Sequence, residues 1–578
     1  MRIFISEHVR KLLYRFCLFM ALLCLTGLSA QSQNVVTGQS RDDLELPKPR
    51  TETFSDKAIV EQPKSAAQPC PFDGTDLTVA LTGIDYVFSD GTPLSGDILK
   101  ALAPITYTNE ETSLSVVCDI RDQVNSRLQS EGWIALARIP QQNLVDRLKL
   151  EIVSAKITDV RVLGDVGPYA KLIAKHLKPL RQSPSLNRFD VDKALVQIND
   201  TPGLDVRMQV TPIQGRPGEV AGNLIAQYKP YNIILNTRNY ASEVNGRESV
   251  LARFEYYGLT NSADLSYIAA QSDWGFNRQQ ILQAGHEFGV GTKGLRLGTD
   301  VTFSKTRPDI EGLDLTSEAL LIGINARYPL LRTPRTAVGV ELGFDYADQS
   351  TDVGETAFSE DSLRTIYLRT DWAGRGFQGV GYRPPSYQGS LELRKGLDIF
   401  SATDSDIEGA SVTDGLLASR PFGQSDTLVV KGGTDVFWPI GKSLGARARI
   451  EGQWTKNPLL SLDEFSAGNF TIGRGFDPGA INGDRAIGGV FELSAVPFRN
   501  LQSFNALRNT EIFGFYDWID TRTLDPQTED ASQTLDSIGI GIRTTLTRDI
   551  RLDFVYANPL NATGAASRVL FSLTATFP

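Results

Sequence analysis

The chain is poor in the residues that build metal and redox centres. Its 578 residues include only three histidines, four cysteines and three methionines. His8 falls in an N-terminal leader, and His176 and His286 stand far apart, so no metal site is expected. The net charge of −10 argues against a phosphate-binding surface, and so against nucleic acid as a partner. No phosphate loop, G-x-S-x-G elbow or zinc spacing is found, and no two carboxylates form a defensible acid–base pair. "GVGTKG" (289–294) matches a dinucleotide fingerprint, but strand-like segments flank it on both sides and no helix follows. It reads as a hairpin turn. The reading is therefore no enzyme and no cofactor. The sequons at Asn469 and Asn561 would carry no information if the host were bacterial.

What is present begins with an address. Arg2, Arg10, Lys11 and Arg15 precede the apolar run "FCLFMALLCLTGL", and "LSAQS" offers small residues for cleavage, most simply after Ala30. This is a secretory signal over 1–30, too short for a membrane-spanning helix of about 18 or more apolar residues. Removing it leaves Cys70 and Cys118 in an oxidising compartment. A bridge between them would contribute about 4 kcal/mol in the chain-entropy model; the alternative is two buried thiols.

Three regions follow. Residues 31–69 are polar and irregular and read as a tether, with a short helix conceivable around "SRDDLEL". Residues 70–155 and 156–228 repeat one element order: strand, helix, helix, strand, strand. "IRDQVNSRLQSEGW" carries Ile120, Val124, Leu128 and Trp133 on a helical stripe, and "YAKLIAKHLKPL" and "RFDVDKALVQIND" are the helices of the second copy. Two copies of one order point to a tandem module.

From 229 to 578 helical periodicity nearly vanishes. In "LGARARIEGQW", Leu444, Ala446, Ala448, Ile450, Gly452 and Trp454 take one face, and Arg447, Arg449, Glu451 and Gln453 the other. "DIRLDFVYANPL" and "RVLFSLTATF" repeat the alternation. A sandwich or a membrane barrel would produce it, but about 350 residues of strand far exceed the roughly 100 of a simple sandwich. At about 22 residues per strand and connection, that length gives roughly sixteen strands of a transmembrane β-barrel in contact with membrane lipid. Arg447 and Arg449 would then line the lumen, because an arginine facing lipid at the midplane costs about 2–4 kcal/mol.

One loop stands out. "FTIGRGFDPG" (470–479) sets Arg474 between Gly473 and Gly475, with Phe476 beside it and a Pro-Gly turn beyond. If this loop folds into the barrel, Arg474 needs a carboxylate that its planar fork can grip. "FGFYDW" offers one: Phe513, Phe515 and Asp517 share a face, and a charge should point inward.

With those residues quoted, the chain resembles the outer-membrane transporters of two-partner secretion, the ShlB/FhaC/HecB type, within the superfamily that includes BamA. The repeated modules look like POTRA (polypeptide-transport-associated) domains. "IGRGF" resembles the superfamily signature of the long sixth loop, carried by Arg474, Gly475 and Phe476, and Phe515-Tyr516-Asp517 resembles its F-x-D signature on a later strand. "WID" follows where the family often has glycine, and the tether shows no convincing counterpart of the family's plug helix. The resemblance implies a fold of two POTRA domains and a sixteen-stranded barrel with an inward-folded sixth loop. It implies an outer-membrane location with the N-terminal domains in the periplasm, and insertion by the barrel-assembly machinery. Such a pore captures one large secreted β-rich exoprotein (a TpsA-type partner) and exports it without nucleotide. The capturing strand edges would be "LARIPQQ" and "LDVRMQV". The alternatives are a barrel-assembly factor, which usually carries more than two POTRA units, and a passive porin, which needs none.

Overall fold

The computed structural model describes residues 40–44, 46, 69–94, 96–216, 218–377, 379, 381–405, 411–420, 422–468, 472–500, 508–524, 531–561 and 566–578. The leader over 1–30, most of the tether, and Asn469 lie outside the described residues. No helix among them is long and apolar enough to cross a membrane.

Among the described residues the first element is a helix, α1 (Arg41–Leu44). The first N-terminal unit follows, with β1 (Gly83–Phe88), α2 (Gly96–Leu102), α3 (Val116–Ser130), β2 (Ala135–Arg138) and β3 (Arg147–Ser154). Its sheet order is β1-β3-β2, with β1 and β3 parallel and β2 antiparallel to β3. Leu148, Leu150 and Ile152 alternate inward from β3 and meet Ile120, Val124 and Leu128, which recur every fourth residue on α3. Trp133, expected on that stripe, lies beyond the end of α3, because the helix stops at Ser130 and Gly132 turns the chain at φ +79°. Cys70 and Cys118 are disulfide-bonded across a Cα–Cα distance of 5.8 Å, fastening the lead-in segment to α3.

The second unit has β4 (Lys156–Gly164), α4 (Ala170–Gln182), α5 (Arg188–Asn199), β5 (Leu204–Pro212) and β6 (Glu219–Tyr228). Its sheet repeats the same topology, β4-β6-β5, with β4 and β6 parallel. Ile173, Leu177 and Leu180 of α4 and Val191, Leu195 and Ile198 of α5 fill its core. Backbone hydrogen bonds join the two units: Ile134 N donates to Leu186 O at 3.0 Å and Leu186 N to Ala155 O at 2.7 Å.

Sixteen antiparallel strands then close a barrel. They are β7 (Tyr231–Arg238), β8 (Ser249–Tyr257), β9 (Leu265–Asp273), β10 (Gln279–Val290), β11 (Leu295–Thr306), β12 (Leu315–Arg332), β13 (Thr336–Val353), β14 (Thr356–Arg375), β15 (Ser386–Gly396), β16 (Leu428–Ile440), β17 (Leu444–Thr455), β18 (Arg485–Ala495), β19 (Glu511–Thr523), β20 (Ala531–Thr545), β21 (Ile550–Pro559) and β22 (Arg568–Phe577). Closure is by β22 against β7, from Ser572 opposite Arg238 to Phe577 opposite Ile233. Residues 291–294 form the turn between β10 and β11, with positive φ at Gly291 and Gly294, while Gly289 and Val290 end β10 paired with Arg296 and Leu295. Trp438, Ile450, Trp454 and Ile540 are more than half exposed on the outer face, while Asp435, Gln453, Glu492 and Asp517 are buried on the inner one. The period of two thus sorts apolar side chains outward and polar ones inward.

The second unit abuts one mouth of the barrel. Tyr228 Oη donates to Tyr257 O at 2.5 Å, and Arg332 at the end of β12 pairs with Asp200 at 2.6 Å. Counting connections at the opposite mouth, the sixth joins β17 to β18 and spans residues 456–484.

Candidate functional site

The sixth connection turns into the lumen. Its Phe465–Ala467 and Ile481–Gly483 segments pair as a small hairpin, and Leu459, Leu460, Leu462, Ile472 and Phe476 are all buried. An apolar loop of this kind cannot be left in water, so it packs on the inward face of the wall. Phe476, Ile472 and Phe465 meet Ile519 and Leu535 there.

The tip presents Arg474. Gly473 stands at φ +92°, a left-handed conformation that suits glycine. Gly475 serves differently: a Cβ there would sit 2.8 Å from Ser537 Cβ and 3.0 Å from Pro559 N, so only glycine lets the tip press against β20 and β21. Arg474 Nη2 donates to Asp517 Oδ1 at 2.6 Å and Nε to Oδ2 at 2.9 Å, a two-pronged grip, and Arg474 N adds a third bond at 3.1 Å. Asp517 is fully buried, and Ser537 Oγ is its further neighbour at 3.4 Å. The guanidinium also lies 3.5 Å over the Phe515 ring. That ring rests on Gly539, where a Cβ would come within 2.5 Å of it. Arg474, Phe515 and the bare backbone of Gly539 form a layered stack.

The reading from residue patterns missed the third charge. Glu492 on β18 accepts from Arg474 Nη1 at 2.7 Å and from Arg543 Nη2 at 2.8 Å. Arg543 repeats the stack, 3.8 Å over Phe513, which in turn covers Gly541. In "RAIGGVFELSA" the outward residues are Ile487, Phe491 and Leu493, so a lone Glu492 on the opposite face was the available signal.

Arg447 and Arg449 lie on the inward face of β17, both paired with Asp435 of β16, at 2.8 and 3.3 Å. A second buried node ties the far-side loops together. Arg420 grips Asp484 at 2.5 Å, and Asp484 also accepts from Leu459 N and Leu524 N, each at 2.6 Å.

The tether contributes more than expected. Helix α1 lies inside the barrel, with Leu44 and Leu46 buried against Leu251, Ile281, Ala347 and Leu363 of the wall and Leu460 and Leu462 of the sixth loop. Arg41 reaches Asp345 and Asp463, each at 3.3 Å. The short helix conceivable around "SRDDLEL" is thus present as α1, where the residue pattern left a pore helix open. Four residues are too few to register a 3.6 period, and the helix is held by tertiary contact.

Both strand edges nominated for partner capture carry a cap. Asn125 of α3 accepts from Ala137 N at 2.6 Å and donates to Ala137 O at 3.3 Å. Asn199 of α5 does the same to Val206, at 2.7 and 2.9 Å. Each side-chain amide imitates a neighbouring strand at one residue, which blunts the edge. No group of His, Cys, Asp and Glu among the described residues could hold a metal ion.

With this geometry in view, the comparison with known families is informative. The family model for haemolysin secretion/activation protein ShlB/FhaC/HecB matches residues 224–544. The chain belongs to the ShlB/FhaC/HecB family. Members of this family are two-partner secretion transporters of the outer membrane that serve secreted exoproteins. No curated protein matches significantly in sequence. Among solved structures, CdiB from Escherichia coli is similar with a TM-score of 0.66 at 17% identity, covering 88% of this chain and 93% of that one. CdiB from Acinetobacter baumannii gives 0.62 at 16% identity, covering 99% and 98%. BamA from Haemophilus ducreyi lacking POTRA domains 1-3 gives 0.52 at 12%, covering 86% and 100%. At these identities the likeness is one of fold. As an outer-membrane member of the ShlB/FhaC/HecB family, the protein holds its N-terminal units in the periplasm and its sixth loop opens from the extracellular side.

Proposed function

We propose that this ShlB/FhaC/HecB-family protein captures one large, unfolded, β-rich exoprotein in the periplasm and passes it outward through the barrel without nucleotide hydrolysis and without catalysis of its own. The observation that carries this reading is the continuity of the chain: two tandem α/β units of POTRA topology run directly into a closed barrel and dock on its periplasmic mouth. A passive porin has no use for such units.

Capture would proceed by strand addition, with an extended segment of the exoprotein pairing along a sheet edge. Of the nominated edges, the β2 edge is capped at Ala137 and the β5 edge at Val206. The favoured edge is therefore β4, whose Val162 and Leu163 are 47% and 51% exposed. Its far end leads through Pro168 and Tyr169 to the barrel turn at Gly258, so a segment added there would be carried toward the pore. Helix α1 and the sixth loop close the resting lumen, and Arg474 gripping Asp517 holds the loop in the position from which export proceeds.

The test is deletion of residues 72–228. The truncated barrel should reach the outer membrane and fail to secrete the exoprotein. Normal secretion by the truncated protein would overturn the capture reading.

A further inference from the structure

The tip of the sixth loop does more than seat Arg474. Read in order, its residues touch successive strands of the wall. Arg474 reaches Glu492 of β18 and Asp517 of β19, and Gly475 presses on Ser537 of β20 and Pro559 of β21. The backbone oxygen of Phe476 accepts from Arg568, the first residue of β22. Asp477 then accepts from the same Arg568 at 2.7 Å, and from Arg247 Nη1, which precedes β8, also at 2.7 Å. Glu243 N, in the connection between β7 and β8, adds a bond to Asp477 at 3.3 Å. The buried carboxylate of Asp477 therefore binds both sides of the join between the first and last strands.

That join has the shortest strand pairing in the barrel. β22 and β7 pair only from Ser572 opposite Arg238 to Phe577 opposite Ile233. Beyond Arg238 the join continues for one residue only: Asn239 N donates to Phe571 O at 3.2 Å, and the Asn239 side chain accepts from Phe571 N at 2.7 Å and donates to Val569 O at 2.8 Å. Past Asn239 and Phe571 the extracellular end of the seam has no strand pairing, and there Asp477 crosses it through Arg568 and Arg247.

We propose that Asp477 is an internal staple that holds the β7–β22 seam closed, so that seating of the sixth loop and closure of the barrel wall are one event. Asp477 is three residues from Arg474, so a loop displaced from Asp517 also releases the seam. The proposal concerns the wall and holds whatever partner is exported.

Hydrogen exchange on the purified protein in a lipid nanodisc tests it. Hydrogen bonds to charged groups contribute enough that Asp477→Asn should exchange about tenfold to a hundredfold faster in peptides covering 231–238 and 568–577, with β12 to β14 unchanged. Adding Thr237→Cys and Leu573→Cys, outward-facing register partners across the seam, should restore the heat-resistant compact form once oxidised. If Asp477→Asn does not assemble, Arg247→Gln, which leaves the sixth loop intact, should show the same local acceleration. Unchanged exchange at the seam, or equal acceleration around the whole barrel, would overturn the proposal.

Discussion

Replacing Asp517 by alanine removes the carboxylate that receives two guanidinium bonds and one backbone N–H from Arg474. Asp517 is fully buried and the Arg474 side chain is 16% exposed, so water cannot substitute for the lost partner. Breaking a buried pair from one side typically costs about 3–5 kcal/mol. The structure moves the two single variants apart within that range. After Asp517→Ala, Arg474 still has Glu492 at 2.7 Å, and the expected loss is near 3 kcal/mol. After Arg474→Ala, Asp517 is left with a backbone N–H and the Ser537 hydroxyl, and Glu492 keeps only Arg543, so the loss is nearer 5 kcal/mol. The double variant leaves no buried charge unpaired at Asp517 and should be little worse than Arg474→Ala alone. Secretion of the exoprotein and the temperature of heat modification, measured for all four proteins, give a double-mutant cycle. A coupling of about 1 kcal/mol or more is expected, since residues in one ion-pair network couple by about 0.5–3 kcal/mol. Additive losses would refute the pairing as the source of the effect. Arg474→Lys should fail to rescue, because an ammonium cannot make the two-pronged grip or stack on Phe515.

Cysteines at 447 and 449 should react with small aqueous thiol reagents through the pore, and cysteines at 446 and 448 should not; the opposite pattern would mean that the β17 register is reversed. Deleting residues 40–46, or replacing Leu44 by Asp, should raise single-pore conductance in planar bilayers, because α1 packs on the lumen wall; equal conductance would show that α1 does not limit flow. Cys118→Ser should lower the stability of the first periplasmic unit by about 2–4 kcal/mol, read by thermal unfolding of the intact protein. Burial on α4 holds the His176 pKa below its ordinary value of 6.5, partly offset by a hydrogen bond that the ring donates to the Gln197 side chain. The unfolded chain then binds more protons, so the second unit keeps its full stability above about pH 6.5 and loses some as the pH falls through that value. His176→Gln should flatten this dependence.

Much of the architecture was legible because its signals are local and repeated. Strand alternation such as Leu444 to Trp454 against Arg447 to Gln453 persists over ten residues, and it specifies which face meets lipid. The heptad-scale stripes of α3 and α5 announced the N-terminal units in the same way. The link from Arg474 to Asp517 was approachable because both are lone charges in otherwise apolar or glycine-rich stretches. What escaped depends on contacts between segments distant in the chain. Glu492 is one glutamate among many until β18 is set beside β19. Helix α1 is four residues long and exists because Arg41 and Leu44 find partners about 200 residues and more away. Asn125 and Asn199 look like unremarkable helix residues; only the sheet positions make them edge caps. Asp477 reads as turn chemistry before Pro478, and its two arginines come from opposite ends of the barrel's sequence, 321 residues apart.

The most direct test of the central claim is transport in a purified system. The full-length protein is reconstituted into liposomes with its periplasmic units outward, and the urea-unfolded exoprotein is diluted in without nucleotide. The account predicts that the exoprotein becomes protected from added protease inside the vesicles, and that a barrel lacking residues 72–228 gives no protection. No protection with the full-length protein, a requirement for ATP, or equal protection by the truncated barrel would contradict it.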